Sequence, residues 1–339
     1  MLTLAQITPH LVHQFASEAD LVRAVGELSE AFTKDRARIG DYLSDRRLVA
    51  AYTAFYLTTN LPKLEKFLAW LPPGLRGQLL GQQLIDVGAG PGTFSLAWKL
   101  LGGGTPVMWE SSPLMREQAG RLLEGITQTK ACFDLPVDAS ANRLLFFGHA
   151  ANEMGEQAVW DYIGRAHPQS VLFIEPGTPE VFQLMLRLRA RFVRDDWHIA
   201  YPCLGSAACP LGPNDWCHQI MRVSHAPDVE RLTQLARKDR RKLPVVAHLY
   251  QRAAPRALSH DFARIVRLHP PTKFSHDWEV CRAAGDQLEH ERFQLPFKNY
   301  PKTLAESVGE MGAGDLIHHW QDDRMVGTVR RIKLSFSLG

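Results

Sequence analysis

Three glycines alternate with other residues in Asp86-Val87-Gly88-Ala89-Gly90-Pro91-Gly92, directly after the apolar run Leu84-Ile85-Asp86-Val87 and ahead of Phe94-Ser95-Leu96-Ala97-Trp98. A glycine-rich turn from strand to helix lets backbone come close to a ligand and aims a helix N-terminus at it. Many nucleotides would satisfy that description. The dinucleotide fingerprint, however, needs a further glycine where this chain has Thr93, so the spacing disfavours a nicotinamide cofactor. Asp86, at the end of the first strand, can reach the cationic amino end of a methionine moiety. Glu110, at the end of the next, is placed for a ribose diol. The expected ligand of Asp86, Gly88, Ala89, Gly90, Gly92 and Glu110 is therefore S-adenosylmethionine.

A second group of reactive residues is a set of thiols. Cys203, Cys209 and Cys217 share one loop rich in Pro and Gly, and Cys281 arrives on a later strand. No Cys-x-x-Cys pair of the usual zinc knuckle is present. Irregular spacing plus a distant fourth ligand suits an iron–sulfur cluster, with zinc and unrelated buried thiols left open by the residues alone. Cys132 stands apart. Five cysteines, an odd number in a chain of ordinary core composition, point to thiols or metal ligands in a reducing compartment rather than to a disulfide framework.

Beyond the later strands lie Gly148-His149-Ala150-Ala151-Asn152-Glu153 and Glu175-Pro176-Gly177, where open α/β sheets gather ligands. His149, Asn152 and Glu153 are the candidates for the methyl-acceptor side, and the acceptor atom is not legible. Neither Asn-Pro-Pro-Tyr nor Asp-Pro-Pro-Tyr occurs. Arg237-Lys238-Asp239-Arg240-Arg241-Lys242 is the densest basic run and the candidate for phosphate contacts, with a solvated helix end as the plainer reading. Lys and Arg number 39 against 36 Asp and Glu, a net +3 that is too small to decide for or against nucleic acid.

These residues need a scaffold, and its pattern is α/β. Residues 1–78 read as a helical cap, with Leu21, Val22, Ala24, Val25 and Leu28 at helical spacing. Residues 79–200 read as alternating strands and helices, with strands at 84–87, 106–110, 143–147 and 170–175 and helices at 113–124 and 155–166, which predicts a largely parallel sheet. Residues 201–225 are the cysteine loop. Residues 226–339 begin with a helix at 227–237 and continue as strands at 245–250, 263–268, 277–282, 288–293 and 329–336, a β-rich region that completes the sheet and supplies Cys281. No apolar run is long enough to span a bilayer and no signal or transit peptide is recognisable, so a cytoplasmic protein without a membrane partner is expected, as a monomer.

Together these segments resemble the methyltransferase-like family of mitochondrial small-ribosomal-subunit assembly factors and their bacterial relatives. The likeness runs from about Ala51 to Phe293 and rests on the order of motifs: Leu84 to Gly92, Ile174-Glu175-Pro176-Gly177-Thr178-Pro179, Pro202-Cys203 through Cys209-Pro210 to Trp216-Cys217-His218, and Arg264-Ile265-Val266 leading to Cys281. It implies a Rossmann-like class I methyltransferase sheet, a [4Fe–4S] cluster on Cys203, Cys209, Cys217 and Cys281, and binding to the small ribosomal subunit or its rRNA. Two departures stand out. The chain has Cys203-Leu204-Gly205 where the family shows Cys-Pro-His, and Ala151-Asn152-Glu153-Met154 where it shows Leu-Asn-Glu-Leu. The motifs leave two functions open: methyl transfer to ribosomal RNA, or a non-catalytic assembly factor that uses the cofactor fold as an RNA-binding platform. A small-molecule methyltransferase with a structural zinc is a weaker third.

Overall fold

The computed structural model describes residues 1–34, 43–134, 142–212, 214–253, 262–298, 308–318 and 320–334. Its N-terminal part is helical: α1 (Leu4–Ile7), α2 (Glu18–Lys34), α3 (Arg46–Tyr52), a π-helical turn (Thr53–Leu57), α4 (Thr58–Asn60), α5 (Pro62–Ala69) and α6 (Pro73–Leu80). Strands and helices then alternate through β1 (Gln83–Val87), α7 (Thr93–Leu100), β2 (Val107–Trp109), α8 (Pro113–Thr127), β3 (Arg143–Gly148), α9 (Ala151–Met154), α10 (Glu156–Ala166) and β4 (Ser170–Pro176). After α11 (Pro179–Arg194) come β5 (His198–Tyr201), β6 (Gln219–Arg222), α12 (Pro227–Leu235), β7 (Lys242–Gln251), β8 (Ala263–Leu268), β9 (Ser275–Ala284), β10 (Gln287–Pro296), β11 (Leu316–Ile317), β12 (Trp320–Val326) and β13 (Val329–Leu334). Ser335 and Phe336, expected to end the last strand, lie outside the described residues.

Packing divides the chain differently from the four sequence segments. One unit comprises Met1–Glu175 and Met221–Leu243, the other Pro176–Ile220 and Pro244–Gly339. In the first unit β2, β1, β3 and β4 lie side by side, every pair parallel. An isolated parallel bridge from Val107 to Cys132 extends the order beyond β2. The chain runs outward from β1 to β2 and then returns to the other flank of β1 as β3, so the β1/β3 boundary is a topological switch point, where such sheets open a crevice at their carboxyl ends. Leu144, Leu145, Phe146 and Phe147, like Val171 to Ile174, are fully buried, the continuous apolar run of a strand covered on both faces. This is the Rossmann-like class I methyltransferase sheet read from the sequence.

The N-terminal helices share the core of this unit rather than forming a separate one. Leu21, Ala24, Val25 and Leu28 of α2 pack with Val49, Ala50 and Phe55 and with Met115, Ala119, Leu122 and Leu123 of α8. Gln118 of α8, wholly buried, fixes the preceding segment. Its side-chain oxygen accepts from the Val12 N–H at 2.9 Å, and its amide donates to the His10 carbonyl at 3.0 Å. A buried amide is tolerable when both of its ends are bonded in this way.

The second unit holds α11, an antiparallel pairing of β5 with β7, and a six-stranded sheet in the order β11-β8-β9-β10-β13-β12. All neighbours in that sheet are antiparallel except β10 and β13. Trp278, Val280, Phe293, Leu295 and Ile332 form its core, with Trp278 and Phe293 in register and the Phe293 and Trp320 rings 4.7 Å apart. The β-rich C-terminal region is therefore present as expected, and β9 carries Cys281 at the register position facing Arg264 of β8.

Candidate functional site

The turn after β1 has positive φ at Gly88 (66°), Gly90 (53°) and Gly92 (82°), which L side chains rarely adopt. The three glycines do different things. A Cβ on Gly88 would stand 2.8 Å from the Ala150 Cβ, and one on Gly92 would stand 3.1 Å from the Ala119 Cβ, so both serve close packing. At Gly90 an added Cβ would meet nothing within 4 Å, so its bare backbone faces open space. That space is a cavity of about 530 Å³ at the carboxyl ends of β1, β2 and β3, lined among others by Gly88, Ala89, Gly90, Glu110, His149 and Glu153.

Glu110, one residue beyond β2, brackets the turn. One carboxylate oxygen accepts the Gly90 N–H at 2.9 Å and the other the Ser112 N–H at 2.7 Å. A carboxylate has about four lone-pair sites, so two remain for a ligand. Trp109 and Phe133 supply flat apolar wall on this side, each carrying a guanidinium over its ring, Arg165 at 4.8 Å and Arg116 at 4.4 Å.

Asp86 is held from within the protein. It is 1 % exposed and absent from the cavity wall, and one of its oxygens accepts both the N–H (3.1 Å) and the hydroxyl (2.8 Å) of Ser95 in the first turn of α7. Its carboxyl organises the start of α7. Burial raises its pKa to about 7 against the opposing pull of the Ser95 hydrogen bonds.

On the far side of the cavity His149 sits at the end of β3 with φ of 62°. Its Nε2 is 2.6 Å from Nζ of Lys63, a lysine of α5 that is 2 % exposed. Burial, then the charge of the other, then Arg240 hold the histidine neutral, and burial with Arg240 lowers the Lys63 pKa far below the ordinary lysine range. Glu175, fully buried on β4, accepts the backbone N–H groups of Ala150 (3.1 Å), Ala151 (3.0 Å) and Asn152 (3.4 Å) at the start of α9. Burial nevertheless raises its pKa to about 8. Of the three acceptor-side candidates, His149 and Glu153 line the cavity, whereas the Asn152 side chain is exposed and does not. Lys63 is the residue that sequence reading missed.

The basic run also sorts itself. Arg237, Lys238, Arg241 and Lys242 are exposed, and Arg241 pairs with Asp239 at 2.9 Å. Arg240 turns inward, donating to Asn60 at 2.8 Å with its guanidinium 5.9 Å from the Tyr56 ring, so it is not a surface phosphate contact.

In the second unit the thiols of Cys203, Cys209, Cys217 and Cys281 line one cavity, walled by Phe182, Leu186, Leu211 and Leu288. Among the described residues no group of three or more His, Cys, Asp or Glu was found that could hold a metal ion. Three of the thiols are held above the ordinary thiol range. Burial pushes Cys217 up to about 12 and raises Cys209 and Cys281, and charge on Cys203 raises all three further. Arg189 and Arg264 border the same cavity. Cys132 belongs to the other unit, where its thiol donates to the Asp134 carbonyl at 3.2 Å.

Sheet order, glycine turn and strand-end acid define an α/β protein of class I methyltransferase type, with a cavity at the switch point. More narrowly, the chain belongs to the family described as mitochondrial small ribosomal subunit Rsm22, whose model matches residues 47–290. No curated protein matches it. Similar solved structures include a candidate RNA methyltransferase from Pyrococcus horikoshii (14 % identity, 56 % of this chain and 84 % of that one, TM-score 0.37). Another is the ribosomal protein L11 methylase of Lactobacillus delbrueckii subsp. bulgaricus (13 %, 58 % and 79 %, 0.33). A third is the magnesium protoporphyrin IX methyltransferase of Synechocystis with bound S-adenosylhomocysteine (9 %, 66 % and 97 %, 0.35). No helix among the described residues is long and apolar enough to cross a membrane.

The raised pKa of Asp86 has a definite consequence for stability. Between its ordinary value of 3.8 and its folded value of about 7, the unfolded chain has released the proton that the native protein keeps. Stability from this group therefore falls as pH rises through that window. Asp86→Asn, which keeps an oxygen to accept from Ser95, is expected to remove that component of the decline in urea unfolding measured from pH 4 to 7. An unchanged slope would show that Asp86 titrates normally.

Proposed function

We propose that the chain binds S-adenosylmethionine in the cavity of the first unit, holds a [4Fe–4S] cluster on Cys203, Cys209, Cys217 and Cys281, and acts on the rRNA of the small ribosomal subunit. The observation that carries the first part is Gly90, the one glycine of the turn whose missing side chain opens onto the cavity instead of onto protein. In this reading the backbone of Gly88, Ala89, Gly90 and Gly92 receives the methionine end and the free lone pairs of Glu110 receive the ribose hydroxyls. The cofactor supplies an electrophilic methyl group. His149 and Glu153 face the space left for an acceptor. The ribosomal part rests on family membership, and the cytoplasmic placement expected from the sequence belongs to the same proposal. A second reading, a binding platform without methyl transfer, is favoured by one observation: His149 already has its Nε2 engaged by Lys63. Incubation of tritiated cofactor with small-subunit RNA separates the two, since label enters the RNA only under the first.

Titration calorimetry is expected to show S-adenosylmethionine binding that Gly90→Val abolishes, by placing a branched side chain in the ligand's path. Glu110→Ala should weaken binding by about 1–3 kcal/mol through lost hydrogen bonds to a charged group. Binding of NADH in place of S-adenosylmethionine would sink the assignment.

Protein purified without oxygen is expected to be brown and to contain iron. Ser in place of any one of Cys203, Cys209, Cys217 or Cys281 should lower the iron content and the thermal stability, because ligation contributes to folding. Cys132→Ser should leave both unchanged. Zinc in place of iron in such a preparation would decide for the alternative metal.

Co-sedimentation with small subunits should weaken as salt rises, since phosphate contacts release counterions. Neutralising Lys238, Arg241 and Lys242 together should weaken it further. Enrichment no greater than that of an unrelated protein of equal charge would remove the ribosomal part.

A further inference from the structure

Arg189 is a buried, multiply bonded charge of the second unit. It lies on α11 within the apolar stripe of Phe182, Met185 and Phe192 and is 5 % exposed. From there it reaches the cysteine loop three times. Nε donates to the sulfur of Cys203 at 3.4 Å, and Nη2 donates to the carbonyls of Gly205 at 3.2 Å and Ala207 at 2.5 Å. None of these partners is a carboxylate. A guanidinium taken out of water costs several kcal/mol unless an opposite charge compensates it, and two carbonyl dipoles compensate it only in part. The loop contributes little packing of its own, since Gly205, Ala207 and Ala208 have almost no side chain. One arginine therefore spans the segment between the first two cysteines and brings its positive charge to the first.

We propose that Arg189 is the positioning residue of the cysteine loop: it clamps the segment from Cys203 to Ala207 in one conformation, and its charge offsets the negative charge of a cluster held on the thiolates. The second half rests on the cluster reading given above, whereas the clamp does not. Hydrogen bonds to the sulfurs and net charge are among the levers by which a protein sets the potential of such a centre. A cation beside Cys203 favours the more negative, reduced state, so its removal lowers the midpoint potential.

The test uses the full chain with Arg189→Gln and Arg189→Lys. In metal-free protein, hydrogen exchange of the amides from Leu204 to Cys209 is expected to quicken about tenfold or more in Arg189→Gln, and less in Arg189→Lys, which keeps the charge and one donor. After anaerobic reconstitution with iron and sulfide, a redox titration followed by electron paramagnetic resonance is expected to give a lower midpoint potential for Arg189→Gln and a value near wild type for Arg189→Lys. Should Arg189→Gln fail to fold, as judged by circular dichroism, Arg189→Met, also neutral and of similar length, carries both measurements with the same expectations, and it is in the neutral variant that exchange and potential are judged. Unchanged exchange overturns the clamp, and an unchanged potential overturns the charge role. If the wild-type protein takes up no iron, the cluster reading falls and the exchange measurement still judges the clamp.

Discussion

Two carboxylates buried at the ends of parallel strands anchor the helix starts that border the first unit's cavity. Glu175 at the end of β4 gathers three successive backbone N–H groups at the start of α9, and Asp86 near the end of β1 gathers the N–H and hydroxyl of Ser95 in α7. Helix starts carry unpaired N–H groups and a partial positive charge, so an acid there removes a deficit that burial would make costly. Both acids remain expensive to ionise in these surroundings, as their raised pKa values indicate. The return is geometric: the chain leaving β3 is pinned at Ala150 to Asn152, which sets His149 in its left-handed conformation at the cavity wall.

Much of this was legible where the information is local. A glycine turn between an apolar strand and an apolar helix announces itself because backbone conformation and residue type coincide, and the strands at 143–148 and 170–176 are marked by unbroken apolar runs. Direction is what a single sequence conceals. Nothing in Leu84-Ile85-Asp86-Val87 says whether the acid turns outward to a ligand or back to the next helix. Nor does a run of basic residues reveal that Arg240, alone among its neighbours, is drawn inward by Asn60 and Tyr56. Lys63 gave less signal still, since a lysine after Pro62 at a helix start looks like ordinary solvated surface until His149 is brought against it by the fold.

The thiols illustrate the same divide in another form. Spacing within the loop could be read, but that Cys281 lines the same cavity as the other three depends on how β8 and β9 pair, which no local pattern specifies. One clue was available. Arg189 occupies a core position of an otherwise apolar helical stripe, and an arginine there demands either a partner or an anion. Buried cations on apolar faces are a better guide to hidden sites than exposed basic runs, because burial has to be compensated and exposure does not.

The order of strands in the second unit also sets a timetable for synthesis. β13 lies between β10 and β12 although it is the last of the described strands, and it joins β10 in parallel where every other neighbour is antiparallel. Until residues 329–334 leave the exit tunnel, the β9–β10 hairpin has a free outer edge, with its own N–H and carbonyl groups ready to pair with any other extended chain. A nascent polypeptide stalled before that point would therefore be sticky along β10, and a chaperone that shields open strand edges would have its work concentrated in that interval.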